Sequence, residues 1–359
     1  MTVVINGDTG ITQAGEFNSD STMGFKNRII NGGFDIAQRG TSFTSTGGGN
    51  NDDAYVLDRF YILSDGNDAV DITQTTTVPT GAKYSIGLDV ETVNKKFGIA
   101  QIIENANCFD AIGQTVTLSF DAKVSSTTKL DNVKCAIVAW SGTADSVTSD
   151  IISAWGAEGT NPTLIANATY ENSPANLNVT TSFARYTVSA AVDTSSTTNI
   201  IVFIWSDVTD TSLGDFLYIT NVQLEKGSTA TSFDYRPYGT ELALCQRYLP
   251  AWNYATGNDN VGFGYSAAST TTLLNVAVPV VPRVPPTGVS TSAMTNFVLR
   301  NGANVGGTPT SITINVTSSG VNQSITVFTT AGSPTLTAGQ GSFLFASGSA
   351  QILFTGCEL

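Results

Sequence analysis

The hydrophobic residues of this chain fall in short runs, and only one stretch repeats them at helical spacing. Thr115–Val124 alternates, with Val116, Leu118, Phe120, Ala122 and Val124 on one side. Val133–Trp140 and Asn199–Trp205 are nearly continuous apolar runs, and Arg59–Leu63, Gly98–Glu104, Ala184–Val192 and Phe216–Leu224 are similar in length. Clusters of Gly, Ser, Asn and Asp separate them. Period-two runs bounded by turn residues read as strands, and continuous ones as strands covered on both faces. The expected fold is all-β: an antiparallel jelly-roll sandwich, a short helical joint and a second β-sandwich head.

Composition narrows the function. Charged residues are 13% of the chain, about half the usual ~25%. Ser, Thr, Asn and Gly take their place, giving a neutral, hydrogen-bonding surface. The formal net charge of −13 opposes binding to nucleic acid or to an anionic membrane. The chain contains 0 histidines, which removes Ser-His-Asp and Cys-His catalysis and imidazole metal sites together. Cys108, Cys135, Cys245 and Cys357 are far apart with no C-x-x-C, and are expected to be reduced and buried. A Cys108–Cys135 disulfide is the alternative. No apolar run is long enough to cross a membrane as a helix, and the start of the chain has no signal-peptide core, so a soluble, non-exported protein is expected.

Four segments follow from these patterns. Residues 1–25 hold one apolar strand, Val3–Ile5, in a polar stretch, and are expected to dock on a partner. Residues 26–238 are the jelly roll, 239–250 the helical linker and 251–359 the head. In the linker, Thr240 predicts the N-cap, Leu242, Cys245 and Leu249 form one stripe, and Pro250 ends the helix. That stripe is expected to pack on a neighbouring domain or on copies of itself. Head strands are expected at Asn260–Ser266, Thr272–Val278, Ser311–Val316, Gln323–Thr329, Gly341–Phe345 and Ala350–Phe354. The proline-rich Val281–Thr287 stretch between them is excluded from central strands.

Three local patterns occur in order. The first is Asn27-Arg28-Ile29-Ile30-Asn31-Gly32-Gly33-Phe34-Asp35-Ile36-Ala37-Gln38-Arg39-Gly40. Asn31-Gly32 suits a turn with positive φ, Phe34 and Ile36 are expected to alternate inward on a first strand, and Arg39 to meet a buried carboxylate or cap a strand end. The second is Val222-Gln223-Leu224-Glu225-Lys226-Gly227 with Phe233-Asp234-Tyr235-Arg236-Pro237. The third is Glu241-Leu242-Ala243-Leu244-Cys245-Gln246-Arg247-Tyr248, with Cys357-Glu358-Leu359 at the end. This ordered set resembles bacteriophage tail-fibre and receptor-binding proteins, which join a carbohydrate-binding-module-like jelly roll to a trimeric C-terminal head. Many such proteins have Trp before Gln-Arg-Gly, where this chain has Ala37. The resemblance implies a homotrimer in a virion, assembled in the host cytoplasm. It further implies docking to other virion proteins through residues 1–25 and a host-surface glycan as ligand. It also leaves room for one structural calcium ion, with no ligands assigned, and implies no other cofactor.

Sugars stack on aromatic rings while amides and carboxylates bond their hydroxyls. Trp140, Trp155, Trp205, Tyr254 and Tyr265 are the candidate glycan-binding residues, with core or interface packing as the alternative for each. Phe263 could join a tip groove or an intersubunit seam. The Gly47–Asp53 loop is rich in oxygen ligands but lacks EF-hand spacing. Asp58, Glu91, Glu104 and Asp121 could in principle serve a glycosidase, yet no spacing singles out a pair, and no enzyme is expected. The rival readings are a capsid- or tail-decorating fibre without a ligand, and a polysaccharide-degrading spike.

Overall fold

The computed structural model describes residues 25–359 except 195, 256, 258, 302–305, 316–323 and 332–335. It describes 324–331 by backbone only, and before residue 25 only the backbone of Ile5–Asn6 and Gly10–Ile11, which pair antiparallel. The expected docking role of residues 1–25 and the strand at Val3–Ile5 lie largely outside the described residues. The fold is all-β, as the alternating runs require.

Two antiparallel sheets form a jelly-roll sandwich. The five-stranded sheet runs Ala168–Tyr170, Val133–Trp140, Asn199–Ser206, Phe97–Ile103, Tyr61–Ser64. The six-stranded sheet runs Ala184–Ala191, Thr115–Val124, Phe216–Lys226, Ser85–Val90, Val70–Thr75, Ser42–Phe43. Between them lie Leu118, Phe120, Ile137, Val202, Ile204, Leu217 and Ile219, all buried. The five-stranded sheet is apolar on its other face too. There Val138, Ile201, Phe203 and Trp205 carry a second core, closed by Ile151, Trp155 and the helix residues Cys245 and Tyr248. This explains why Val133–Trp140 and Asn199–Ser206 have no wet side.

The cover over that second core is pinned by charge. Lys96 and Asp207 are fully buried and ion-paired, and Lys134 reaches the same carboxylate at 2.6 Å. Lys96 also donates to the Ala157 carbonyl at 2.7 Å, and the Gly159 N–H donates to Asp207 at 3.1 Å.

The three sequence patterns meet in space. Asn27 donates to the Val222 carbonyl at 3.1 Å and accepts from the Ile29 and Leu224 N–H groups. The Phe216–Lys226 strand bulges there, with Asn221 at φ 52°. A Cβ on Gly32 would meet the Val222 oxygen at 2.0 Å, so Gly32 is needed for close approach. The positive φ of the turn falls on Asn31, at 61°. Phe34 and Ile36 are buried but form no strand: Phe34 has φ 56° and enters the intersheet core, while Ile36 enters the second core. Arg236 bonds the Ile29 carbonyl and pairs with Glu241, which accepts from the Asn31 N–H.

The helix spans Tyr238–Gln246 and is capped at Pro237 rather than Thr240, which lies within it. Cys245 and Leu249 are buried, and Leu242 is half-buried. Within one chain, Leu242 and Cys245 pack against the jelly roll's second core and Leu249 against Ala251 and Leu353 of the head, so the stripe does not need a second copy to cover it. Glu104 binds Arg247 at 2.7 Å and accepts from the Tyr248 hydroxyl at 2.7 Å. The Arg59 guanidinium sits 3.6 Å over the Tyr248 ring. All four cysteines are buried and unpaired.

In the head, Ala251–Tyr254, Ala350–Thr355 and Gly288–Thr291 form a three-stranded sheet. It packs against a seven-stranded one ordered Gly306–Gly307, Phe297–Asn301, Gly341–Ala346, Asn260–Ser266, Thr271–Ala277, Ser324–Ala331, Pro309–Ile314. Leu274, Val276, Phe297, Leu344, Ile352 and Phe354 fill the space between. The head is tied to the jelly roll by Arg39–Glu358 and by Gln351 donating to the Gln38 carbonyl at 2.8 Å. The Arg283 N–H donates to the Arg247 carbonyl at 2.8 Å, and its guanidinium holds the Cys357 and Glu358 carbonyls at 2.9 and 2.7 Å.

Candidate functional site

The tryptophan candidates are core residues. Trp205 is 0% exposed, stacked on Phe203 with centroids 4.5 Å apart, and Trp155 meets the same Phe203 edge-on. Trp140 is buried, with its indole N–H on the Thr143 carbonyl at 3.1 Å. Each ends or faces a strand of the five-stranded sheet, but the excursion after Trp140 folds back and covers them. None of the three presents a ring face to a ligand. Tyr254 is half-buried beside Trp252, at 6.3 Å and 21°. Tyr265 is exposed on the outer face of the head's larger sheet, with Phe263 and Phe343.

A different aromatic group lies on the open face of the six-stranded sheet. Leu217 and Ile219 point into the core, so the pleat turns Phe216 and Tyr218 outward. Their rings are nearly parallel, at 6°, with centroids 5.2 Å apart. Two rows of cross-strand partners complete the patch. In one, Tyr218 lies opposite Gly87 and Lys123; in the other, Phe216 lies opposite Asp89, which faces Asp71. A Cβ on Gly87 would meet the Tyr218 ring at 3.3 Å, so glycine lets that ring lie over the sheet. The Lys123 ammonium stands 5.0 Å from the Tyr218 ring and 5.3 Å from that of Phe183.

The carboxylates are tuned by crowding. Burial and then the Asp71 charge push Asp89 above its usual range, and burial and then Asp68 do the same to Asp71. Asp89 Oδ1 is buried and has no hydrogen-bond partner. The patch thus presents a stacked ring pair, a carboxylate and an ammonium, the kinds of group that bind the apolar faces and hydroxyls of a sugar.

Three of the four carboxylates named from sequence have hydrogen-bond partners of their own. Asp58 accepts from Gln38 at 2.6 Å, Glu104 is held by Arg247 and Tyr248, and Asp121 accepts from Asn221 at 2.7 Å. Glu91 feels the charges of Asp71, Asp89 and Asp68. The Gly47–Asp53 loop is tied down rather than open: Asn50 donates to Asp68 and Asp71 at 2.7 and 2.9 Å, and Asp52 accepts from the Ser64 N–H at 2.7 Å. Among the described residues no three acidic or thiol groups gather in one cluster.

Asp52 makes a pH signature. Burial, opposed by the Ser64 N–H and reinforced by Asp150 and Asp53, pushes it up to about 6 from an ordinary 3.8. The folded protein holds a proton there that the unfolded chain has lost. Stability present below the ordinary value is therefore lost as pH rises toward about 6. Asp52→Asn keeps an acceptor for Ser64. Its melting temperature is expected to exceed that of the wild type at pH 7 and to match it below about pH 4, in a thermal scan across pH.

No family model matches the chain, and no curated protein matches it. Among solved structures, the enzymatically active domain of tailspike protein 4 from bacteriophage CBA120 aligns at TM-score 0.32 and 18% identity over 56% of this chain. The match spans 22% of that protein. The CBM22-1 xylan-binding domain from Paenibacillus barcinonensis Xyn10C aligns at 0.28 and 11% identity, over 47% of this chain and 87% of that one. A CBM4 structure aligns at 0.29 and 13%, over 55% and 99%. At these scores the likenesses carry no functional argument.

Proposed function

We propose that the protein recognises a glycan on a host surface without cleaving it, as a homotrimeric bacteriophage fibre. The observation that carries the glycan reading is the Phe216–Tyr218 pair, parallel and outward on an open sheet face, flanked by Asp89 and Lys123. The stacked pair gives a sugar an apolar surface to lie against, and the charged groups select hydroxyl positions. The fibre, its virion location and the docking of residues 1–25 on other virion proteins rest on the ordered motifs alone. Weak single-site affinity would be raised by avidity across three copies. The exposed Phe263, Tyr265 and Phe343 on the head supply either a second contact with the host or the seam between copies.

One observation favours a hydrolase instead: Asp71 and Asp89 lie directly opposite on neighbouring strands beside the ring pair. Directly opposed side chains are about 5 Å apart, near the spacing of retaining glycosidases. A flat sheet face, however, does not flank a scissile bond from two sides. A glycan array read alongside assay of released reducing sugar separates the readings. Binding without release supports recognition; release lost in Asp71→Asn or Asp89→Asn would establish the hydrolase. Solution mass tests the trimer, which a monomer would exclude.

A further inference from the structure

A second site lies where Gln38 donates to the carbonyl of Leu249, 211 residues further along the chain, at 3.2 Å. A groove of about 300 Å³ opens there between jelly roll, helix and head. Ala37 lies on one side, Tyr238, Leu242 and Gln246 on the helix side, and Trp252 and Asn253 on the head side. The helix residues are spaced by four, which sets them on one helix face. Its volume is at the lower end of the roughly 300–1,000 Å³ range of small-molecule sites.

We propose that this groove binds one unit of a neutral saccharide. Among the described residues no charged side chain lines it, which favours a neutral ligand. The Trp252 indole N–H is spent on the Ala277 carbonyl at 2.9 Å, and its ring packs on the head core beside Tyr254, so Trp252 contributes an apolar edge to the wall. Tyr238 is 59% exposed at the mouth. The Gln246 amide has no partner among the described residues, whereas the Asn253 amide is engaged at both ends, donating to the Gln38 carbonyl at 3.4 Å and accepting from Gln351 at 2.7 Å. The Gln246 amide, the exposed Tyr238 ring and an apolar wall match a ligand with apolar faces and hydroxyl edges. An unmet amide also disfavours a purely apolar occupant. Because the walls come from three parts of the chain, a bound sugar bridges them and stiffens the joint. The residues differ from those of the six-stranded sheet, so the groove stands apart from that reading.

Ala37 is half-buried at the groove wall, so Ala37→Trp places a ring in the space a ligand would use. The test is calorimetric titration with maltotriose, cellotriose, xylotriose and mannotriose, each to about 10 mM, where millimolar sites fill. It is run on the Phe216→Ala/Tyr218→Ala variant, with Ala37→Trp, Tyr238→Ala or Gln246→Ala added singly. At least one trisaccharide is expected to bind and to raise the melting temperature, with affinity falling at least tenfold on each addition. Tyr238→Ala and Gln246→Ala alter exposed or half-exposed positions and guard against misfolding by Ala37→Trp. Absence of binding to all four sugars overturns the proposal, as does binding that all three substitutions leave intact. A change of solution mass in Ala37→Trp would assign the groove to a contact between copies and overturn it as well. Wild-type binding lost with Phe216 and Tyr218 alone would leave the sheet-face reading standing and this one refuted.

Discussion

Asp207→Ala is expected to cost about 3–5 kcal/mol, because it strands two buried ammonium groups at once. Lys96 is 0% exposed on its side chain and Lys134 6%, and both lean on this one carboxylate. A sandwich of this size loses about 2–4 °C per kcal/mol, so the melting temperature should fall by roughly 6–20 °C. Lys129–Asp210 is the control, with side chains 39% and 61% exposed, and its removal should change stability by about 0–1 kcal/mol. Replacing Lys96, Lys134 and Asp207 together by apolar residues should recover part of the loss, since an absent triad leaves no unpaired charge. Recovery stays incomplete because the Ala157 and Thr160 carbonyls lose their Lys96 donor. Urea unfolding of the four proteins measures all of this. A loss below about 1 kcal/mol for Asp207→Ala would mean that water reaches the triad.

That triad explains what sequence could and could not show. Strands with a strong apolar pattern were legible: Thr115–Val124, Val133–Trp140 and Asn260–Ser266 lie where their alternation or continuity puts them. Val70–Thr75 and Ser85–Val90 escaped notice because Asp, Thr, Gln and Ser occupy much of their outward side, at the wet face. The tryptophans misled for a non-local reason. A Trp at a strand end suggests a loop-side ring, but residues 141–170 fold back over the sheet, held by Lys96 and Lys134, and no periodicity announces that. The joint was legible as a helix, but its start was not. Thr240 has the chemistry of a cap, while Pro237 takes the position because Arg236 is fastened to Ile29 and Glu241. The proposed recognition face did have a signal. If Leu217 and Ile219 point inward, then Phe216 and Tyr218 must point out, and two outward aromatics on one strand are a surface feature.

Removing those two rings has the second large effect. Phe216→Ala/Tyr218→Ala is expected to weaken binding of the preferred glycan about thirtyfold or more, since a binding hot spot contributes about 2 kcal/mol or more. Stability should change little by comparison, because both rings are half-exposed and neither belongs to the intersheet core. Asp89→Asn should act differently: a neutral amide still accepts a hydrogen bond, so a modest loss with altered hydroxyl preference is expected rather than abolition. Equilibrium binding to the glycan found by array, with circular dichroism to confirm folding, separates these outcomes.

The most direct test of binding without cleavage at this face is a glycan array probed with wild type and Phe216→Ala/Tyr218→Ala. The fluid over each spot is then analysed for released sugar by mass spectrometry. Retention of the wild type on at least one host-derived glycan, loss of that signal in the double variant and no released fragment are the expected results. Retention unchanged in the double variant, or fragments released by the wild type, would contradict it.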